Sequence, residues 1–246
     1  MTKKQGFTLA EVLMTLAILG TVAALSLPSV TSNVMESQLK TAFQTSHHTI
    51  SDKLDAAMAL EDVQDIRELK AFQQADINGF FSELGNYLNF TAVDGDHTVY
   101  AFDKGSNSVA TWPTSNTKQI HTKAFMYVED FTEAKSAGGA AIRAAGGALL
   151  RRNAIVWLDV NGYTKPNRLG YDVFKFYLGQ DGRLYPVGGR DVSLYESAGG
   201  SDTSMSWEGG SEDFKCDKSV KGFGCAGRLA ATNSMKYLKE KSSPAG

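Results

Sequence analysis

Residues 6–28 read GFTLAEVLMTLAILGTVAALSLP, and this stretch decides how the rest of the chain is understood. It is about as long as the roughly 20 residues needed to cross the hydrocarbon core of a bilayer. Between Lys4 and Glu36 its one charged side chain is Glu11. A carboxylate inside an apolar helix costs roughly 2 to 3 kcal/mol, so its presence asks for a partner. The short leader MTKKQG precedes it, and Lys3 and Lys4 favour a cytoplasmic N-terminal end. Ala23, Ala24 and Ser26 are small enough to admit an ordinary signal-peptide cleavage site as the competing reading, but that reading leaves Glu11 unexplained.

Outside this stretch the chain has an ordinary composition. Its 246 residues are 42% hydrophobic and 21% charged, which excludes disordered and collagen-like classes. The 25 basic and 27 acidic residues leave a net charge of −2, so no basic excess points to nucleic acid.

Gly6, Phe7, Thr8, Leu9, Ala10 and Glu11, read as G-F-T-L-x-E before the apolar run, resemble the leader and N-methylation signature of type IV pilins and the pseudopilins of type II secretion. The resemblance implies cleavage by a prepilin peptidase between Gly6 and Phe7, methylation of the new terminus at Phe7, and a mature net charge of −4. It also implies an inner-membrane, single-pass subunit with its head outside the cytoplasm, delivered by an assembly platform into a periplasmic or extracellular filament of like subunits. Glu11 then finds its partner in the α-amino group of Phe7 on a neighbouring subunit. Snorkelling of Glu11 to the head groups is the alternative. Gly20 and Pro28 stand where the family has its helix-breaking glycine and proline, and a bend is expected near Pro28.

Beyond the proline, Met35, Leu39, Phe43, Ile50, Leu54 and Met58 recur at steps of four or seven, the stripe of an amphipathic helix. The expected organisation is a leader at 1–6, a membrane or filament-core half-helix at 7–28, an amphipathic half at 29–60, and a globular head at 61–246. The fold class is α+β: a long N-terminal helix packed against a small antiparallel sheet.

Within the head, EDVQDIRELKAFQQAD reads as a second helix with apolar residues at steps of three, and NGFFSELGNYLNF as a short helical piece. Residues 98–102 and 124–128 read as strands, with GSNSVATWPTSNTK as a loop between them. SAGGAAIRAAGGALL reads as a helix or irregular crossover. AIVWLDV and DVFKFYL read as strands, with Asn161-Gly162 as a hairpin turn after the first, and an Asp181-Gly182 turn leads from the second into RLYPV. The run from 155 to 188, with D-x-N-G followed by P-N-x-x-G-x-D, resembles a segment common in pilin-like proteins. RLAATNSMKYLKE reads as a terminal helix.

Cys216 and Cys225 are the only cysteines. In the exported head that the resemblance implies, they are expected to close a small disulfide loop. Free thiols or half a metal site are the competing readings. Four oxygen-bearing residues, Asp159, Asn161, Asp172 and Asp181, fall near hairpin ends, and the family's known calcium sites make calcium a candidate there. The same dipeptides are also what tight turns require. Metal spacing is absent from His47, His48, His97 and His121, which read as solvated, and no nucleophile or phosphate-loop motif occurs, so no enzyme is expected. Arg151, Arg152, Lys165 and Arg168 form a local basic cluster, and Trp112, Trp157 and Trp207 are core or contact residues. They keep a ligand-binding role at a filament tip, with DNA or a surface as ligand, as the alternative to a purely structural subunit.

Overall fold

The apolar run and the stripe after it form one helix, α1, from Leu9 to Glu61, in a computed structural model of the chain. The structure describes residues 6, 8–74, 76–102, 108–120, 123–129, 140–143, 149–152, 154–179, 181–189, 207, 214–216 and 221–240, with backbone alone at 28, 29, 140–143, 149–152 and 154. The chain divides into two compact units, one ending at Gln38 and one beginning at Leu39.

In the first unit, α1 turns its apolar side chains outward. Leu9 is 80% exposed and Leu25 82%, with Leu13, Leu16, Ile18 and Val22 also open. This part of α1 is long and apolar enough to span a bilayer. Its hydroxyls are bonded within the helix: Thr15 Oγ1 donates to Val12 O at 2.9 Å, Thr21 Oγ1 to Ile18 O at 2.8 Å, and Ser26 Oγ to Val22 O at 2.9 Å. The helix runs through Gly20 and Pro28 without interruption. A proline removes one N–H from the ladder, and the intact turns on either side carry the helix past it.

In the second unit the stripe is buried from Leu39 onward: Phe43, Ile50, Leu54 and Ala57 are all within the core, whereas Met35 stays 47% exposed. The expected second helix is instead a 3-10 turn at Ile66–Glu68 and a single-turn α2 at Lys70–Gln73. Apolar residues at steps of exactly three match the three-residue 3-10 turn better than the α period. Helix α3 spans Ile77–Leu84, capped by Asp76, whose carboxylate accepts from Gly79 N at 2.8 Å.

Among the described residues ten strands follow: β1 Phe90–Ala92, β2 His97–Tyr100, β3 Ser108–Trp112, β4 Thr117–Ile120, β5 Phe125–Glu129, β6 Ala140–Arg143, β7 Leu149–Arg152, β8 Ala154–Asp159, β9 Val173–Leu178 and β10 Leu184–Pro186. Six form an antiparallel sheet in the order β1-β4-β5-β8-β9-β10, while β2 with β3 and β6 with β7 form separate two-stranded antiparallel sheets. The segment read as a loop thus contains β3 and the start of β4, and within the Gly/Ala-rich segment Ala140–Arg143 is a strand rather than helix, paired antiparallel with Leu149–Arg152. The Asn161-Gly162 pair does not close a two-residue hairpin either: β8 and β9 pair antiparallel across the longer connection 160–172.

Both faces of the sheet are covered. Val156, Leu158, Phe174 and Phe176 face a core shared with Phe43, Leu54, Phe80 and Leu229. Ile155, Trp157, Val173 and Tyr177 face a second cluster built on Trp112, Val99 and Phe125. Double-sided burial is why AIVWL and VFKFYL are almost continuously apolar instead of alternating. Helix α4, Cys225–Thr232, begins at the bonded pair Cys216–Cys225. A 3-10 turn at Lys236–Leu238 follows it. The fold is α+β and pilin-like: a long apolar N-terminal helix followed by a small antiparallel sheet.

Candidate functional site

Two constellations carry chemistry, one in each unit. The first sits at the start of α1. Thr8 is the N-cap, and three residues later Glu11 turns back to it. Thr8 N donates to Glu11 Oε2 at 2.8 Å and Thr8 Oγ1 donates to the same oxygen at 2.7 Å, while Glu11 N donates to Thr8 Oγ1 at 3.3 Å. This reciprocal pair is a capping box. It closes two open N–H groups of the helix end and gives the carboxylate donors from its own chain. Gly6 is described and exposed, and Phe7 lies outside the described residues. Around Gly20 the position a Cβ would take has no neighbour within 4 Å. The sequence reading missed Thr8, although Thr8-Leu9-Ala10-Glu11 is the T-x-x-E spacing that announces such a box.

The second constellation lies beneath the connection 160–172. Asp159 and Asp172 are both fully buried. Asp159 Oδ1 accepts from Asn161 N at 3.0 Å and Gly162 N at 2.8 Å, and its Oδ2 lies 2.7 Å from His97 Nε2. Asp172 Oδ1 accepts from Arg168 N at 2.6 Å. Its Oδ2 accepts from Asn167 N at 2.9 Å and Asn161 Nδ2 at 3.2 Å. Gly162 is required where it stands: its φ is +63°, and a Cβ there would lie 2.4 Å from Lys123 O. Burial raises the pKa of both carboxyls. For Asp172, burial and then the charge of Asp159 push it up to about 7 against the pull of its N–H donors.

His97 corrects the expectation of solvated histidines. It is 6% exposed and packs against Trp112 and Phe125. His47 is half-buried, with Nε2 3.0 Å from Leu184 O and its pKa lowered chiefly by burial. His48 is exposed, and His121 lies outside the described residues. No local pattern could have singled out His97, because its partner is 62 residues away.

The four residues offered as calcium ligands do not converge. Asp159, Asn161 and Asp172 share the buried knot. Asp181 caps a separate turn, accepting from Arg183 N at 3.1 Å and Tyr185 Oη at 2.6 Å. In the knot every carboxylate oxygen already faces an N–H group or the His97 ring. Because Asn161 gives Nδ2 to Asp172, its Oδ1 is turned away from that carboxylate; this oxygen and Asn167 Oδ1 are buried without a partner among the described residues. Among the described residues no group of three or more His, Cys, Asp or Glu is placed to hold a metal ion.

The remaining candidates are packing residues. Arg168 donates from its guanidinium to Ala101 O at 3.0 Å and lies over Tyr100. Trp112 and Trp157 are core, the latter donating Nε1 to Glu129 at 2.7 Å, and Trp207 packs beneath Arg228. Of Arg151 and Arg152 only the backbone is described. The bonded cysteines are buried, and Arg228 donates to Cys216 O at 3.1 Å, tying the closed loop to α4.

An apolar helix opened by a capped acid and followed by an α+β head makes a pilin-like fold whose first helix is long and apolar enough to cross a membrane. Residues 1–27 match the family model of the prokaryotic N-terminal methylation motif, the signature of type IV pilin and pseudopilin precursors. Neither the curated proteins nor the solved structures yield a significant match. The motif implies a substrate of prepilin peptidase that assembles with other pilins.

Proposed function

We propose that the chain is a structural subunit of a type IV pilus or a type II secretion filament, cut between Gly6 and Phe7 and methylated at Phe7. The reading is supported above all by Glu11: a single acid placed five positions after Gly6, in the stretch of α1 from Leu9 to Leu27 where every other side chain is exposed and either apolar or small. Held in lipid, that helix keeps the subunit in the membrane. Packed against its neighbours, it forms the core of a filament. Glu11 is held by Thr8 in the lone subunit and exchanges that local partner for the α-amino group of Phe7 on an adjacent one. The work is mechanical, and catalysis is not part of it.

Intact mass and N-terminal peptide mass of the protein purified from cells containing the peptidase test the processing step. The expected terminus is methylated Phe7. A terminus after Ala24, or an unprocessed Met1, sinks the proposal.

A further inference from the structure

Residues 214–216 and 221–240 make one unit, held together by the Cys216–Cys225 bond and by Arg228, which donates to Cys216 O. This unit grips the rest of the head on several sides. Gly227 N donates to Val187 O at 2.8 Å, just past β10, and Lys221 O accepts from Phe102 N at 2.9 Å, just past β2. Tyr237 Oη donates to Gly170 O on the connection 160–172 at 2.8 Å, and Asn233 Oδ1 accepts from Gln44 Nε2 on α1 at 3.0 Å. Leu229, Met235 and Tyr237 add buried side chains to the core that α1 shares.

The seam closes at backbone distance. A Cβ on Gly188 would lie 2.6 Å from Gly224 Cα, and one on Gly170 would lie 2.7 Å from Cys225 Sγ. The unit therefore seats only with its two limbs already drawn together, Gly224 N donating to Lys215 O at 3.2 Å. Helix α4 does not supply that order by itself. It has eight residues and starts at Gly224 without a side-chain cap, and isolated helices so short are marginal in water. Once the unit is seated, Cys216 is 2% exposed and Cys225 0%, which closes the bond to a thiolate from solvent.

We infer that this unit is a redox-set clasp: it seats on the head only after the Cys216–Cys225 bond has formed, and its seating then seals that bond against reduction. Formation passes two electrons and two protons from the cysteine thiols to a donor disulfide, which leaves as a pair of thiols. Reversal needs a dithiol to attack a sulfur that the closed clasp covers, so the clasp must open first. A chain among reducing thiols keeps the clasp unseated, and one in an oxidising compartment closes it. The inference rests on contacts within the head and does not depend on the filament reading.

Two measurements on the full-length chain in detergent test it. Hydrogen exchange compares the oxidised protein with the double variant Cys216→Ala, Cys225→Ala. The Phe102 and Gly227 amides, which bond across the seam, are expected to lose about 100-fold of protection, the closure entropy of so small a loop, while amides paired between β5 and β8 keep theirs. Equal protection at the seam in both proteins overturns the inference. A matching loss across β5 and β8 also overturns it, since the bond would then brace the whole head rather than a clasp. Dithiothreitol is expected to cleave the bond in the native protein on the order of 100-fold more slowly than in denaturant. Cleavage at the same rate in both states overturns the sealing, and if the double variant does not fold, this rate comparison decides alone.

Discussion

The two stretches of α1 are made of similar residues and meet opposite fates. Leu13, Leu16 and Leu25 leave their side chains open, whereas Leu39, Ile50 and Leu54 are buried under a sheet. The difference lies in what surrounds the apolar side chains. Before Gln38 almost every position is apolar or small, which suits a surrounding of lipid or other helices. After Leu39, Lys40, Gln44 and Lys53 restore a polar face, and the apolar stripe narrows to the width that one sheet can cover. Hydrophobicity alone does not separate anchor from core; its angular distribution does.

If the two regions are energetically separate, a change in one leaves the other intact. The largest effect is expected from Trp112→Ala, which empties the centre of the cluster on the second sheet face. It should lower head stability by about 3 to 5 kcal/mol in denaturant unfolding, with membrane retention unchanged. Reducing Cys216–Cys225 should lower head stability by about 3 kcal/mol, given a loop closed across nine residues, and again leave the anchor unaffected. Glu11→Ala reverses the pattern. It removes roughly 2 to 3 kcal/mol of penalty in lipid, so membrane retention holds or improves, while recovery of the protein in sheared filaments is lost. A Glu11→Ala chain that still enters filaments at wild-type abundance contradicts the intersubunit pairing. Thr8→Ala should have the smallest effect, about 1 kcal/mol of fraying confined to the first turn of α1 and visible as faster amide exchange there.

What could be read in the chain follows the same division. The anchor was legible because its signal is local: composition, one acid, and spacing along a single helix. Strands β8 and β9 were legible because burial on both faces leaves unbroken apolar runs. Strands β3 and β4 were hidden, since SVATW and TKQI bury few of their side chains and sit among Ser, Asn and Pro. Strands β6 and β7 were hidden by alanines and glycines that carry little strand preference, so their pairing is decided by the fold rather than by propensity. The His97–Asp159 contact and the convergence of Asp172 on the same loop were invisible for a different reason: a contact across 62 residues leaves no periodic trace. The knot was nonetheless half seen, because D-x-N-G and P-N-x-x-G-x-D drew attention to its carboxylates, if not to their donors.

The hydroxyls of the anchor have one more consequence. Thr8, Thr15, Thr21 and Ser26 each direct their proton to an acceptor on their own helix. In a medium without water, such hydroxyls would otherwise be the natural glue between neighbouring helices. With those protons already committed, anchors packed in a filament of the proposed kind would slide along and rotate about one another with little polar friction. Position along the bundle is then written almost entirely in one charged side chain, and a filament built this way would be smooth everywhere except at its catch.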